Sequence, residues 1–166
     1  MRNEEAVRYE AGAATTTQDN VTTLTDARVK LVGITQPTVT INGARDLENY
    51  CRSLLQDSAV EEFHVLCVNA RLQVLADSCI NRGTLSEVQA YPRSVATVAL
   101  LSNAHAVFLT HNHPGGTCSP SMDDIRSTTT IKNALKMFDI YVLDHMIVTP
   151  SGDCYSMTQH GDITLR

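Results

Sequence analysis

The chain has 166 residues, of which 43% are hydrophobic and 19% are charged, values typical of a globular protein with a substantial core. Its formal net charge of -5 argues against a broad electrostatic grip on nucleic acid, because such binding normally uses a basic face. The N-terminus lacks an apolar signal core, and no run of about 20 apolar residues could cross a membrane. We therefore expect one soluble, cytoplasmic domain with a tail and no membrane partner.

Two segments precede the main domain. Residues 1–26 are rich in Thr, Ala, Glu and Asn with few large apolar side chains, so we expect a disordered tail. Residues 27–45 show a short β-like alternation interrupted by Pro37, which predicts an arm or docking strand. Such an arm would bind the core, a partner or a second copy of the chain, so a homodimer is one expected arrangement. The main domain is expected over residues 46–166.

Helical and strand patterns alternate along the main domain and predict an α/β fold. The apolar face of the first strand consists of Phe63, Val65 and Cys67. We expect it to lie against Leu72 and Val74 of a hairpin partner, with Ala76 as a further candidate. The predicted elements are helices over 46–56, 94–103 and 122–137, and strands over 61–69, 72–80, 104–110, 140–149 and 154–157. Together they predict a mixed β-sheet of about six strands flanked by helices.

The stretch that organises the chain reads HNHPGGTCSPSMDD and covers residues 111–124. If the preceding strand runs into His111, then His111 and His113 project to the same side, because strand side chains alternate. Asp124 lies in the first turn of the next helix, which can fold back over the strand end across the Pro-Gly-Gly turn. Two imidazoles and one carboxylate are ligands typical of catalytic zinc, which keeps one position open for water. The pattern therefore predicts a zinc site.

Simpler explanations exist for parts of this stretch. Ser121 and Asp124 also fit a capping box, in which a serine caps the helix and an acidic residue three positions later bonds back to the backbone of that serine. A buried histidine is more often a hydrogen-bonded core residue than a ligand, although this explanation accounts poorly for two histidines beside one tight turn. Asn112, between the histidines, is expected to point away from the metal and to hold the loop.

Other polar side chains near the motif have open roles. The chain has five cysteines and no C-x-x-C pair, which predicts free, buried thiols, although Cys118 lies inside the motif loop and could approach the metal. Asp144 and His145 are unusual inside an apolar strand. Either one of them bonds a metal ligand and orients it, or the two form a hydrogen-bonded core pair.

His-x-His-Pro, followed by a serine and an aspartate three positions after it, resembles the JAMM (MPN+) metalloprotease signature. The RadC-like branch is the closer resemblance, because its stretch typically reads HNHPSG, then PS, then D. Gly115 stands where that branch usually has a serine. Segments 61–69, 83–93 and 143–145 also resemble its first core strand, its Gly-Thr…His-Pro-Arg segment (with Tyr91 for the histidine) and its Leu-Asp-His strand.

The resemblance implies the JAMM/MPN fold, which is similar to that of the cytidine deaminases, and hydrolysis of a peptide or other amide by a metal-activated water. It implies that zinc is bound by His111, His113 and Asp124, and that Ser121 assists the developing oxyanion. The family pattern Glu-x-Phe points to Glu61 as the base that takes a proton from the water, with Glu62 as the weaker candidate. Burial suits this role because it raises the pKa of a carboxyl group. Both glutamates also fit solvated residues at a strand edge.

Three other functions compete with zinc-dependent hydrolysis. A zinc deaminase would need His-x-Glu followed by Pro-Cys-x-x-Cys, and the sequence has neither. The letters His-Asn-His match the name of a nuclease family only by accident. The serious alternative is a DNA-repair-associated binding or scaffold protein with little or no catalytic activity, since RadC-like proteins have a historical link to DNA repair. Longer members carry a helix-hairpin-helix region before this domain, and we recognise none here.

Overall fold

The structure, a computed structural model, describes residues 39–83 and 92–164. The predicted tail, most of the predicted arm and the segment 84–91 lie outside these residues, so the proposed domain boundaries stay predictions. The elements in chain order are α1 Ala44–Leu55, β1 Glu61–Val68, β2 Val74–Gly83, α2 Pro92–Leu101, β3 Ala106–Asn112, α3 Met122–Lys136, β4 Tyr141–Val148, β5 Cys154–Ser156 and α4 Met157–His160. They confirm the predicted α/β class.

The described strands form one mixed sheet of five strands in the order β2-β1-β3-β4-β5, one fewer than expected. β1 is antiparallel to both β2 and β3, and β5 is antiparallel to β4. β3 and β4 run parallel, which requires a crossover connection, and α3 supplies it. At the N-terminal end of the described residues, Thr40 forms an isolated bridge with Gln73.

The two middle strands are buried on both faces of the sheet. All seven residues of β3 are buried, and Glu62 is the one residue of β1 that is not. Because alternate strand residues face opposite sides, two cores result. One core packs under α2 and α3 and contains Phe63, Val65, Cys67, Ala76, Val95, Ala99, Val107, Leu109, Ile131 and Leu135. The other packs under α1 and contains Leu47, Cys51, Leu55, Leu66, Val68, Val74, Phe108 and Met146.

The predicted face of the β1–β2 hairpin is wrong in part. Ala76 does pair with Cys67 and joins Phe63 and Val65 in the core under α2 and α3. A register shift between Cys67 and Val68, however, places Val74 opposite Val68, in the core under α1. Leu72 packs against that same core. A single extra residue at a bulge moves the following side chains to the other face of a strand, and the apolar pattern did not indicate it.

The end of α2 explains why β3 begins later than expected. Asn103 adopts a left-handed conformation with φ 52°, and the N–H of Ala104 donates to the carbonyl of Ala99 at 2.9 Å. Asn is among the residues that accept this conformation at a helix end. The strand therefore starts at Ala106 and continues through His111 into Asn112, beyond the predicted end at residue 110. None of the helices in residues 39–83 and 92–164 combines the length and apolar character needed to cross a bilayer.

Candidate metal centre

His111, His113 and Asp124 meet where β3 ends and α3 begins. His111 is the next-to-last residue of the buried strand β3. His113 directly follows β3, and its N–H donates to the carbonyl of Val148 at 2.9 Å. The Nε2 atoms of the two histidines are 2.9 Å apart. Asp124 Oδ1 is 3.4 Å from His111 Nε2, and Asp124 Oδ2 is 3.7 Å from His113 Nε2. The strand alternation and the helix first turn thus bring together the three side chains chosen from sequence.

These side chains fit a single divalent transition-metal ion. One ligand atom from each of the three lies within 4.8 Å of the others. In a tetrahedron with ligands at about 2.0–2.2 Å, neighbouring ligand atoms are roughly 3.3–3.6 Å apart, close to the separations seen here. Two imidazole nitrogens and a carboxylate oxygen are also donors that such ions accept.

Asp124 is held by the capping box that the sequence offered as a simpler explanation. Ser121 is the N-cap of α3, and its Oγ accepts from the N–H of Asp124 at 3.1 Å. In return, Asp124 Oδ2 accepts from the N–H of Ser121 at 2.7 Å and from its hydroxyl at 2.6 Å. Because these bonds use Oδ2, they leave Oδ1 directed toward His111. Capping and metal binding are therefore compatible, and the cap orients the carboxylate.

The charges at the site suit a cation. Burial acts to raise the pKa of Asp124, but the proximity of His113 and His111 and the bonds from Ser121 outweigh it and hold the pKa well below its usual range. Burial lowers the pKa of His111 to about 4. Near neutral pH, Asp124 is thus ionised and His111 is neutral, and these are the protonation states in which each binds a metal.

Glu61 lies beside this centre. It opens β1, and Phe63 pairs with His111, so continuation of the register brings Glu61 alongside His113. The residue is 8% exposed, and its carboxylate has no hydrogen-bond partner among the described residues. Burial raises the pKa of Glu61; His113 opposes this effect and Asp124 reinforces it. A carboxylate with these properties can accept a proton near the metal position.

Glu62 has a different position. Its carboxylate accepts from the hydroxyl of Ser58 at 2.7 Å, lies 3.1 Å from His64 Nε2 and pairs with Arg82 Nε at 3.3 Å. Because successive strand residues face opposite sides, Glu62 points away from the face on which Glu61 lies. Of the two glutamates, therefore, the structure brings only Glu61 to the candidate metal centre.

Asn112 points away from the two histidines, as predicted. Its Oδ1 accepts from the N–H of Glu62 at 2.8 Å, and its Nδ2 donates to the carbonyls of Val60 at 2.9 Å and Ser58 at 3.2 Å. These bonds tie the end of β3 to the start of β1. Asn112 therefore fixes the position of Glu61 relative to the flanking histidines.

His145 contacts a candidate ligand, whereas Asp144 does not. His145 is fully buried, and its Nε2 is 2.7 Å from His111 Nδ1. The carboxylate of Asp144 instead accepts from the hydroxyl of Ser156 at 2.5 Å and the N–H of Thr158 at 3.0 Å. Asp144 thus holds the chain around β5 and α4, and the expectation that one of the pair orients a ligand applies to His145.

The cysteines are all free, as predicted, but only Cys51 and Cys67 are buried. Cys118 lies in the motif loop with its Sγ directed to the carbonyl of Ile147 at 3.8 Å, and it does not belong to the ligand group. Sequence reasoning missed a second group of metal-binding residue types, Glu62, His64 and Cys79. The sequence does contain a pattern that indicates this group, because Glu62 and His64 alternate on one strand and Asp77 and Cys79 alternate on the next.

A family model described as the RadC-like JAB domain matches residues 41–162. The chain belongs to this family. It is similar to UPF0758 proteins: one from Pseudomonas entomophila is 40% identical over 115 residues, covering 69% of this chain and 50% of the relative. One from Aromatoleum aromaticum is 41% identical over 115 residues, covering 69% and 51%. One from Herminiimonas arsenicoxydans is 35% identical over 137 residues, covering 82% and 61%.

Family membership confirms the resemblance inferred from the HNHP stretch. The RadC-like JAB match contains Glu61, the two histidines, Ser121 and Asp124. The first of these relatives is matched over 50% of its length, so the chain spans about half of it.

Proposed function

We propose that this RadC-like JAB domain is a zinc-dependent hydrolase of peptides or other amides. The observation that carries the proposal is the convergence of His111, His113 and Asp124 on one point, with the buried carboxylate of Glu61 beside them. Three protein ligands leave tetrahedral zinc one open position, which is the arrangement of catalytic rather than structural sites.

Zinc bound there would lower the pKa of a bound water to about 7 and polarise a carbonyl oxygen. Glu61 then has the task of taking a proton from water and delivering it to the leaving nitrogen, which its burial and raised pKa favour. Asp124 and the two histidines hold the ion, and Asn112 keeps Glu61 in register with them.

Ser121 has two tasks in this proposal. As the helix cap it orients Asp124, and as a hydroxyl donor it would assist the oxyanion, a contribution of about 2.7–4 kcal/mol to the transition state. Its hydroxyl proton is now given to Asp124 Oδ2 at 2.6 Å. Oxyanion stabilisation therefore requires that the hydroxyl turn from Asp124 toward the substrate while the backbone N–H keeps its own bond at 2.7 Å.

The test compares Glu61→Gln with Glu62→Gln, two adjacent substitutions on opposite faces of β1. Bound zinc would be measured on purified protein, and turnover would be measured with a panel of peptide, isopeptide and small amide substrates. We expect Glu61→Gln to retain zinc and to lose turnover by at least about 100-fold, whereas Glu62→Gln should retain both.

Three outcomes would contradict parts of the proposal. Absence of zinc from the wild type would remove the metal site. Normal turnover by Glu61→Gln would show that the base is misassigned. Zinc binding without any hydrolysis would favour the alternative of a DNA-repair-associated binding or scaffold protein, for which the salt dependence of DNA binding is the next measurement.

A further inference from the structure

A row of hydrogen bonds leads from α3 through the buried core to the candidate metal centre. Thr128 Oγ1 is 2.6 Å from the carbonyl oxygen of Asp124 and 2.6 Å from His145 Nδ1. His145 Nε2 is 2.7 Å from His111 Nδ1, and Thr128 and His145 are both fully buried. The proposed reaction gives neither Thr128 nor His145 a role.

The direction of each bond follows from where protons are available. A carbonyl oxygen has no proton, so the short contact between Thr128 and Asp124 requires the hydroxyl proton of Thr128. The Thr128 oxygen can then only accept, so His145 must carry its proton on Nδ1. His145 is fully buried, and its ring nitrogens face a hydroxyl oxygen and another imidazole, neither of which carries a negative charge that would stabilise a protonated ring. A neutral imidazole with a proton on Nδ1 has a lone pair on Nε2. His111 must therefore carry its own proton on Nδ1.

The same reasoning locates the proton of His113, the second histidine of the candidate metal centre. His113 Nδ1 is 2.6 Å from the carbonyl oxygen of Thr117, so that nitrogen donates. In their neutral forms, both histidines then direct a lone pair from Nε2 toward the other, across 2.9 Å. Two lone pairs at this distance repel unless a cation lies between them, and Asp124 supplies the third ligand atom for such a cation.

We propose that Thr128 and His145 are positioning residues that fix the proton of His111 on Nδ1 and so commit its Nε2 lone pair to the metal ion. This inference rests on the metal site of the proposed function. Without the Thr128 hydroxyl, the proton on His145 Nδ1 has no acceptor, and the imidazole gains by moving that proton to Nε2. That proton then faces His111 Nδ1, so His111 must carry its own proton on Nε2, where the metal would bind.

The alternative is that His145 simply fills the core. Its ring packs edge-on against Phe63 with centroids 5.4 Å apart, so truncation to alanine would leave a cavity and could unfold the protein. Thr128→Val avoids this difficulty because valine has nearly the same shape and lacks the hydroxyl. His145→Gln serves as the conservative rescue, since its amide can donate to Thr128 and its carbonyl oxygen can accept from His111.

Thr129→Val is the matched control. Thr129 neighbours Thr128 on α3 and makes the same kind of bond to the preceding turn, from Oγ1 to the carbonyl of Ile125 at 2.8 Å, but it is exposed. Any effect of losing a helix-internal hydroxyl bond is therefore common to both variants. Only Thr128→Val removes the hydroxyl that accepts the Nδ1 proton of His145, the residue that contacts His111.

The test measures zinc affinity by competition with a chromophoric chelator, and the tautomer of His111 by nitrogen-15 NMR of the metal-free protein. We expect wild type, Thr129→Val and His145→Gln to hold His111 in the Nδ1–H form with similar affinities. Thr128→Val should populate the Nε2–H form and bind zinc about 10-fold or more weakly. Thermal melts would verify that all four proteins are folded.

Equal zinc affinity in folded Thr128→Val and Thr129→Val, with His111 unchanged in tautomer, would overturn the inference while leaving the metal site intact. A wild type that takes up no zinc would instead remove the proposed function. The tautomer in the metal-free proteins would still show whether Thr128 controls His111.

Discussion

Two groups of side chains of metal-binding residue types lie at or beside β1, and the difference between them lies in how their histidines are bonded. One is the candidate metal centre, formed by His111, His113 and Asp124; the other is formed by Glu62, His64 and Cys79. Each group has one ligand atom per residue within 4.8 Å of the others. By that distance criterion alone, either group could hold a metal ion.

The hydrogen bonds separate them. His64 Nδ1 is 3.0 Å from Asp77 Oδ1, and His64 Nε2 is 3.1 Å from Glu62 Oε2. Carboxylates only accept, so both ring nitrogens of His64 donate, and the protonated ring has no lone pair for a metal. In the candidate metal centre, the His145 Nε2 nitrogen takes the Nδ1 proton of His111 and the Thr117 carbonyl oxygen takes that of His113, which leaves the two Nε2 lone pairs converging. The direction of hydrogen bonding, rather than residue type, therefore distinguishes a cation site from an ion pair.

Loss of bound zinc is the strongest expected difference between the two groups. His113→Ala removes a converging lone pair, so we expect bound zinc to fall to background, because two protein ligands do not make a stable zinc site. His64→Ala should leave zinc content unchanged. Elemental analysis of the purified proteins measures both, and equal zinc loss in the two variants would show that the groups are not distinct.

A second substitution separates the two tasks of the helix cap. Ser121→Ala should reduce turnover by about 100-fold or more through loss of the oxyanion donor, while zinc remains bound. It should also lower the free energy of unfolding by about 1 kcal/mol, because the N-cap of α3 is lost. Kinetics and denaturant unfolding measure the two effects on the same protein.

Ser119→Ala, in the exposed loop just before the cap, is the control and should change neither quantity. A Ser121→Ala protein that loses stability but keeps its full rate would limit this serine to capping.

The smallest effect concerns the His64 group and depends on pH. Burial acts to lower the pKa of His64, but the hydrogen bonds with Asp77 and Glu62 outweigh it, so the folded pKa lies above 6.5. A raised folded pKa means that the stabilisation is fully present below pH 6.5 and is lost as pH rises through the folded value. We expect His64→Gln to cost about 1–2 kcal/mol at the acidic side and much less at alkaline pH.

Urea unfolding of wild type and His64→Gln, carried out below pH 6.5 and at alkaline pH, measures this difference in the free energy of unfolding. A difference that grows as pH rises would mean that His64 is neutral in the folded protein. The His64 ring would then have a lone pair available for a metal, as the histidines of the candidate metal centre do.

Features that depend on neighbours along the chain could be predicted from the amino-acid sequence. The α/β class, the helix after the motif and the convergence of His111, His113 and Asp124 follow from strand alternation and one helical turn. All three candidate ligands lie within residues 111–124, where local geometry decides the direction of each side chain. The outward position of Asn112 follows from the same alternation.

The segments that pack beside that stretch are distant in the chain and are seen only in the three-dimensional fold. His145 is 34 residues from His111 in the chain and 17 from Thr128, and the parallel pairing of β3 with β4 together with the packing of α3 brings all three into contact. Glu61 reaches the site through the antiparallel register of β1 and β3, and a bulge sends Val74 to the unexpected face. A periodic pattern of apolar residues predicts which side of a strand a residue faces. It does not state what packs there, because pairing register and crossovers are set by contacts between segments far apart in the chain.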